Sequence, residues 1–268
     1  MVGSYGIFAM FPKLWWGEKM PYGYIQPRGI LDGVMAFEIE IKSLLGSKES
    51  ADALHEQLAR LPGFRKLGSN SQLNHYLEGG SSSALLVAMN GRFSEEKQKR
   101  LETMLSRAKN LSIRSREYKS GEAPKKVTLI IKTTIDDTTS ANGTAREEFE
   151  EEPSRFNLGQ RLNLDDLDEI LLGAGFTYQA KWSRERKEYK VNDITIAIDK
   201  NAGYGYLAEF EKIISDASRA DATKGRLRSF MRKLGVEELD HARLERMFAH
   251  YNAHWPEYYG TDKVFTVL

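Results

Sequence analysis

Charged side chains recur at every second position in several separate segments of this chain, and this alternation constrains the fold more than any other feature. Residues 36–42 read Ala-Phe-Glu-Ile-Glu-Ile-Lys. In an extended strand, successive side chains point to opposite faces, so Glu38, Glu40 and Lys42 share one face and two isoleucines share the other. The segment therefore predicts a strand with one ionic face and one apolar face.

The same one-sided arrangement of charges returns in later segments, at Arg114, Arg116, Lys132, Arg146, Glu148, Glu150, Arg184, Arg186, Asp199, Glu209 and Glu211. Any one of these strands could simply turn its charges to water. If helices cover the apolar faces of all of them, however, the ionic faces enclose a common interior. Burying unpaired ions costs several kcal/mol each, against a total stability of about 5–15 kcal/mol. The interior must then be wet, paired internally as a salt-bridge network, or occupied by a charged ligand.

Hydrophobic periodicity predicts an α+β fold, an antiparallel meander of eight strands with flanking helices and a C-terminal helical extension, and closing this sheet around its charged faces would make an eight-stranded β-barrel. The strands are predicted at residues 36–42, 72–78, 111–118, 127–134, 145–151, 177–189, 193–199 and 206–213. The helices are predicted at residues 47–61, 94–109, 165–172, 224–234 and 239–254. We divide the chain into an irregular N-terminal extension (1–34), a barrel domain (35–214) and a helical C-terminal extension (215–268).

Composition excludes several classes of function. The chain has no cysteine, which rules out disulfides, thiolate metal ligands and thiol catalysis. Its 39 basic and 38 acidic residues give no global attraction to nucleic acid or to acidic membranes. With no apolar run of the ~20 residues that a membrane span needs, we expect a soluble cytoplasmic protein without nucleic-acid or membrane partners. The oligomeric state is left open, with a homodimer as one option.

The alternating segments resemble the motifs of a known family. Residues 38–42 match the ExExK signature of the CYTH family of triphosphate tunnel metalloenzymes. Residues 113–116 resemble its paired-arginine strand, 129–132 its phosphate-binding lysine strand and 146–150 its RxExE strand. Arg184-Glu-Arg186 falls at the family's K/RxR pair, with Lys181 nearby as a substitute for the lysine, and Asp199 and residues 209–211 resemble its late metal-binding acids.

The resemblance implies a triphosphate tunnel, which is a closed antiparallel eight-stranded β-barrel, with Mg²⁺ or Mn²⁺ as cofactor and a small-molecule triphosphate as substrate. It implies metal binding by Glu38, Glu40, Glu148, Glu150, Asp199, Glu209 and Glu211. It implies phosphate binding by Arg114, Arg116, Lys132, Arg146, Arg184 and Arg186. Lys42 would act with Glu38 and Glu40 in catalysis, where it would orient or deprotonate the attacking group.

Three functions remain open from the sequence. The favoured one is hydrolysis of an inorganic, thiamine or nucleoside triphosphate, because it needs only water as the nucleophile. The alternatives are a class IV adenylyl cyclase, which converts ATP to cyclic AMP and pyrophosphate, and a non-catalytic module that binds a nucleotide or polyphosphate. His250 and His254, four residues apart on a predicted helix, suggest packing at a helix end rather than a metal site.

Overall fold

In a computed structural model, residues 24–31, 34–108, 110–136, 145–155 and 160–267 are described. Their strands are β1 Tyr24–Leu31, β2 Val34–Gly46, β3 Phe64–Gly79, β4 Asn110–Lys119, β5 Lys126–Asp136, β6 Ala145–Glu151, β7 Phe176–Val191, β8 Ile194–Asn201 and β9 Gly205–Ile214. All neighbouring strands pair antiparallel, in the order β1-β2-β9-β8-β7-β3-β4-β5-β6. The predicted α+β class and the antiparallel sheet are confirmed.

The predicted closure into an eight-stranded barrel is not what the structure has. Within the described residues, the sheet has nine strands, and its two outermost strands, β1 and β6, form no hydrogen-bonded ladder with each other. Their Cα atoms nevertheless approach within 8 Å. Alternation predicts which residues share a face, but closure depends on strand tilt and stagger, which alternation does not encode.

The ninth strand comes from the segment that is predicted to be irregular. β1 pairs with β2 and shifts register between Pro27 and Ile30. Proline cannot donate a ladder hydrogen bond, so it is confined to edge strands and bulges, which is where β1 places it. Periodicity does not predict this strand, because Pro27 and Gly29 interrupt the alternation of the segment. Residues 1–23 of the predicted N-terminal extension lie outside the described part of the chain.

Six α-helices flank the described sheet: α1 Lys48–Ala59, α2 Ser82–Met89, α3 Glu95–Arg107, α4 Leu164–Gly173, α5 Ala220–Lys233 and α6 His241–Tyr258. Side chains cap α1, α3 and α4 at Ser47, Ser94 and Asn163, each of which accepts a backbone N–H of the first turn. The predicted helices do not include α2, because its Ala-Leu-Leu-Val-Ala-Met run is apolar on all sides and shows no helical period. No helix among the described residues is long and apolar enough to cross a membrane.

Helices cover the apolar face of the sheet in two clusters. Ile39 and Ile41 of β2 are buried together with Leu54 of α1 and Leu227 of α5. A second cluster joins the apolar residues of β4, β5 and β6 to α2, α3 and α4. The opposite face, which we call the inner face, therefore carries the alternating charges. The domain boundary at residue 214 stays a prediction, although α5 packs into the same core as the strands before it.

Candidate active site

Asp199 of β8 is the most buried charge on the inner face, with a relative exposure of 1%. Arg186 of β7 donates two parallel hydrogen bonds to this carboxylate, from Nε to Oδ1 at 2.7 Å and from Nη2 to Oδ2 at 2.6 Å. Arg184 Nη1 reaches the same Oδ2 at 3.1 Å. Because both oxygens already accept guanidinium groups, Asp199 serves here as an internal counter-ion for the two arginines.

This arrangement gives a stability prediction. Asp199→Ala removes the buried carboxylate and leaves two half-buried guanidinium groups without their main partner, and breaking a buried ion pair costs about 3–5 kcal/mol. We expect the free energy of unfolding, measured by urea denaturation, to fall by that amount. Asp193→Ala is the matched control, since Asp193 is half-exposed beside Lys212 and Arg226 and surface pairs contribute about 0–1 kcal/mol. Equal losses in the two variants would contradict this role of Asp199.

Lys42 of β2 lies between two glutamates. Its Nζ contacts Glu40 of its own strand and Glu209 Oε1 of β9 at 2.7 Å. Burial alone would lower the pKa of Lys42, but Glu209 and Glu40 outweigh it and raise that pKa well above its ordinary value. Burial would likewise raise the pKa of Glu209, but Lys42 and Arg186 hold it far below the usual range. Lys42 is therefore charged in this state, which favours the orienting role over that of a base.

Two arginines of β4 lie against polar side chains of β3. Arg116 Nε donates to Asn74 Oδ1 at 2.7 Å, and Arg114 Nη1 donates to the Tyr76 hydroxyl at 2.7 Å. The strand register places Asn74 opposite Arg116 and Tyr76 opposite Arg114, so all four share the inner face. We call Asn74, Tyr76, Arg114 and Arg116 the β3–β4 quartet.

The β3–β4 quartet contains two guanidinium groups and no carboxylate of its own. Among the described side chains, Arg116 has one carboxylate contact, Glu150 Oε1 at 3.4 Å from Nη1, and Glu150 is partly exposed. Burial, together with the neighbouring charge of Arg114, lowers the pKa of Arg116 to about 10. Burial would raise the pKa of Tyr76, but the guanidinium groups of Arg114, Arg116 and Arg184 lower it. Among the described residues, the buried Nε–H of Arg114 finds no acceptor.

The polar residues of β3 are missing from the predicted site. Arg184 Nε donates to Gln72 Oε1 at 2.9 Å, and Gln72 Nε2 donates to Asn70 Oδ1 at 2.9 Å. Asn70, Gln72, Asn74 and Tyr76 form an alternating polar row on the inner face. Parity alone could have found the row, because its members occupy every second position from 70 to 76, with Ser71, Leu73 and His75 between them. The alternation of charged side chains does not reveal it, since all four of its members are neutral.

The strands β5 and β6 bring Lys132 and Glu148 together, with 3.1 Å between Nζ and Oε2. They are directly opposite each other in the register of these strands. The predicted residues Glu38 and Arg146 belong to β2 and β6. The side chains of both lie outside the described part of the structure, so their predicted roles remain predictions.

The structure describes the side chains of six of the seven predicted metal-binding acids, all except Glu38. Among the described side chains, no three acids or histidines come close enough to hold a metal ion together. In the structure Asp199 and Glu209 pair with cationic groups, as Glu40 does with Lys42, and Glu40 and Glu211 lie directly opposite each other on β2 and β9. Two carboxylates in this relation repel each other unless a positive charge lies near. Lys42 supplies part of that charge through Glu40.

Other candidates from the sequence lie away from the inner face. Lys181 Nζ sits 3.9 Å from the ring centroid of Tyr178, a cation–π contact on the outer face, and does not substitute for Arg184. His250 and His254 stack on each other with ring centroids 4.4 Å apart on α6, as expected for packing.

A surface cavity of about 870 Å³ lies between the β7–β8 turn and α5, lined by Asp193, Arg226, Phe230 and their neighbours.

The chain resembles known proteins both in sequence and in structure. The family model described as the CYTH domain matches residues 36–244. No curated protein sequence gave a significant match. The solved structure of the PH1819 protein from Pyrococcus horikoshii OT3 is 18% identical with a TM-score of 0.51, and the match covers 80% of this chain and 98% of that one. The PH1012 protein of the same organism is 18% identical with a TM-score of 0.47, covering 75% of this chain and 91% of that one.

Proposed function

The chain belongs to the CYTH family, and from that premise we propose that it is a metal-dependent enzyme that hydrolyses a triphosphate on the inner face. The proposal joins two features of that face. One is the excess of positive charge in the β3–β4 quartet, and the other is the opposed pair of carboxylates, Glu40 and Glu211. A polyphosphate bridged by divalent cations complements both features.

The proposal rests mainly on one observation, the buried Nε–H of Arg114, which is unpartnered within the described part of the chain. Its Nε–H is buried and has no acceptor among the described residues, and it lies beside a second arginine whose pKa burial lowers to about 10. A buried donor without a partner costs about 1–3 kcal/mol, and more when it is charged. An anion with several oxygens would accept from both guanidinium groups, and phosphate has the forked geometry that arginine matches.

The donor chemistry of the acidic residues suits the cation that the family implies. Glu40 and Glu211 offer hard oxygen atoms, and with Glu38 of the same strand they would hold Mg²⁺ or Mn²⁺. When bound, such a cation neutralises charge on the phosphoryl group and lowers the pKa of a water molecule. Glu148 and Glu150, each with one contact to a cationic side chain, remain proposed ligands; Asp199 and Glu209, each between two cationic groups, serve as counter-ions in this state.

The remaining residues of the inner face would position the substrate. Arg114, Arg116 and Arg184 would bind phosphate oxygens, with Lys132 and Arg146 as further cations on β5 and β6. Lys42, charged and held between Glu40 and Glu209, would orient the nucleophile or stabilise negative charge on the group being transferred. Phosphoryl transfer depends mainly on such positioning and charge stabilisation.

Product analysis tests this function directly. The protein is incubated with ATP, thiamine triphosphate and tripolyphosphate, with and without Mg²⁺ or Mn²⁺, and the products are separated by chromatography. We expect metal-dependent release of phosphate or pyrophosphate from at least one of the three. Cyclic AMP from ATP would instead favour an adenylyl cyclase. Tight binding by calorimetry without any product would favour the binding module, and neither binding nor turnover would contradict all three.

Tyr76 gives a prediction about substrate binding. Its hydroxyl accepts from Arg114, so its own proton can be donated to a phosphate oxygen. Tyr76→Phe removes this donor and leaves Arg114 with one partner fewer. We expect KM for the preferred triphosphate to rise about 5–30-fold, as for the loss of about 1–2 kcal/mol of hydrogen bonding to a charged group, with a smaller change in kcat. Tyr206→Phe, on the outer face of β9, is the control, and equal kinetics for the two variants would count against a role for Tyr76.

A further inference from the structure

A buried polar network lies on the outer face of the sheet, directly behind the β3–β4 quartet. It joins Asp168 of α4, His75 of β3 and Ser115 of β4, whose relative exposures are 2%, 3% and 0%. His75 Nδ1 lies 2.5 Å from Asp168 Oδ2, and the Ser115 hydroxyl donates to Asp168 Oδ1. Tyr178 of β7 donates to Asp168 Oδ2 at 2.7 Å. One carboxylate thus joins three neighbouring strands.

The network also reaches the C-terminal segment. His75 Nε2 lies 2.6 Å from the hydroxyl of Tyr259, the residue that follows α6. Burial alone would raise the pKa of Asp168, but bonds from His75, Ser115 and Tyr178 lower it, so its carboxylate is an acceptor only. His75 must then donate from Nδ1, and in its neutral form its Nε2 accepts from the Tyr259 hydroxyl.

A serine, a histidine and an aspartate in contact are also the parts of a hydrolytic triad, but the connections here are different. Ser115 donates to Asp168, whereas a nucleophilic serine bonds to the histidine that activates it. All three side chains are buried, which leaves no route for an acyl substrate. The network therefore holds structure in place rather than attacking a substrate.

The position of the network in the strand register indicates what it holds. His75 and Ser115 are direct cross-strand partners. His75 lies between Asn74 and Tyr76, and Ser115 lies between Arg114 and Arg116. Because side chains alternate across a strand, fixing the outer pair also fixes the backbone that aims the four inner residues. The hydrogen bonds from Arg116 to Asn74 and from Arg114 to Tyr76 depend on that register.

We propose that Asp168 is a positioning residue for substrate phosphate: by fixing His75 and Ser115 it aims Arg114 and Arg116, and through Tyr259 it couples the C-terminal segment to triphosphate affinity. This inference rests on the proposed function, because it takes the β3–β4 quartet to be the phosphate site. It adds that residues remote from the substrate, on α4 and after α6, set the affinity for that substrate.

The test measures binding of tripolyphosphate by calorimetry, with and without Mg²⁺, alongside steady-state turnover. We expect Asp168→Asn to raise Kd and KM about tenfold with a smaller change in kcat, because the defect lies in aiming the phosphate-binding groups. Tyr259→Phe should raise Kd about threefold. Glu169→Gln, the exposed neighbour of Asp168 on the same helix, is the matched control and should bind as the wild type does.

A double-mutant cycle separates positioning from general weakening of the fold. If Asp168 acts through the β3–β4 quartet, the effects of Asp168→Asn and Tyr76→Phe on Kd should be less than multiplicative. Effects that multiply would overturn the proposal, as would an unchanged Kd in Asp168→Asn. If Asp168→Asn does not fold, Ser115→Ala removes a single bond of the network and takes its place in the cycle. Wild-type protein that fails to bind tripolyphosphate would contradict the proposed function itself, a separate result.

Discussion

Replacing Glu40 by glutamine is expected to reduce triphosphate turnover by at least about 1000-fold at saturating Mg²⁺ or Mn²⁺, a loss of some 4 kcal/mol of transition-state stabilisation. Glutamine keeps the size of the side chain but removes the charge that a hard cation requires. Lys42 retains its bond to Glu209, so the protein should stay folded. Initial rates with the substrate identified by product analysis, together with a thermal melt, measure both effects.

Two further variants, one control and one parallel test, show whether this result is specific to the inner face. Glu185→Gln changes an exposed glutamate of β7 whose neighbours on the strand, Arg184 and Arg186, point to the opposite face. It should retain full activity. Glu211→Gln, opposite Glu40 in the register, should lose turnover as Glu40→Gln does. Near-normal rates in both Glu40→Gln and Glu211→Gln would refute the assignment of the metal to this pair.

Arg116→Gln is expected to weaken triphosphate binding while making the free protein more stable. Burial and the charge of Arg114 lower the pKa of Arg116 to about 10, so its charged form is unfavourable in the folded state. Each pKa unit corresponds to about 1.4 kcal/mol, and part of the gain is lost with the hydrogen bond from Arg116 to Asn74. We therefore expect the free energy of unfolding to rise by about 1 kcal/mol and KM to rise about 100-fold, as for the loss of a bidentate phosphate contact.

The sign of the pH dependence follows from the same shift. Between pH 10 and the ordinary pKa of arginine, the unfolded chain binds more protons at this position than the folded protein does. The contribution of Arg116 to stability therefore becomes more favourable as the pH rises through that range. Below about pH 10 the unfavourable charge is fully present, so the stabilisation by Arg116→Gln should be measurable at neutral pH.

The control for Arg116→Gln is Arg100→Gln, which changes an exposed arginine of α3. A destabilised Arg116→Gln with unchanged KM would contradict the assignment.

Strand alternation is sufficient to predict much of the inner face. It groups Glu40 with Lys42, Arg184 with Arg186, and Glu209 with Glu211 on one face of their strands, and the structure places these side chains there. It does so because a residue's parity within a strand depends on the local backbone alone. The same rule extends to the polar row of β3 once neutral polar side chains are included.

Pairing between strands cannot be predicted in this way. Seven acids on one face suggest one set of metal ligands, yet Asp199 is held by Arg184 and Arg186, and Glu209 by Lys42 and Arg186. Which acid meets which cation depends on the order β2-β9-β8-β7-β3 and on its register. Those are long-range properties that neither composition nor local periodicity contains.

Local patterns of residues are enough to identify the CYTH family, the α+β class and the face of each strand on which the charges lie, because each of these depends on residues close together in the chain. The folded arrangement was needed to establish which charges neutralise one another, that β1 adds a ninth strand at the edge, and that Asp168 joins three strands behind the arginines. Hydrogen bonds and ion pairs act over a few ångströms in space, and they join residues as far apart in the chain as His75 and Tyr259.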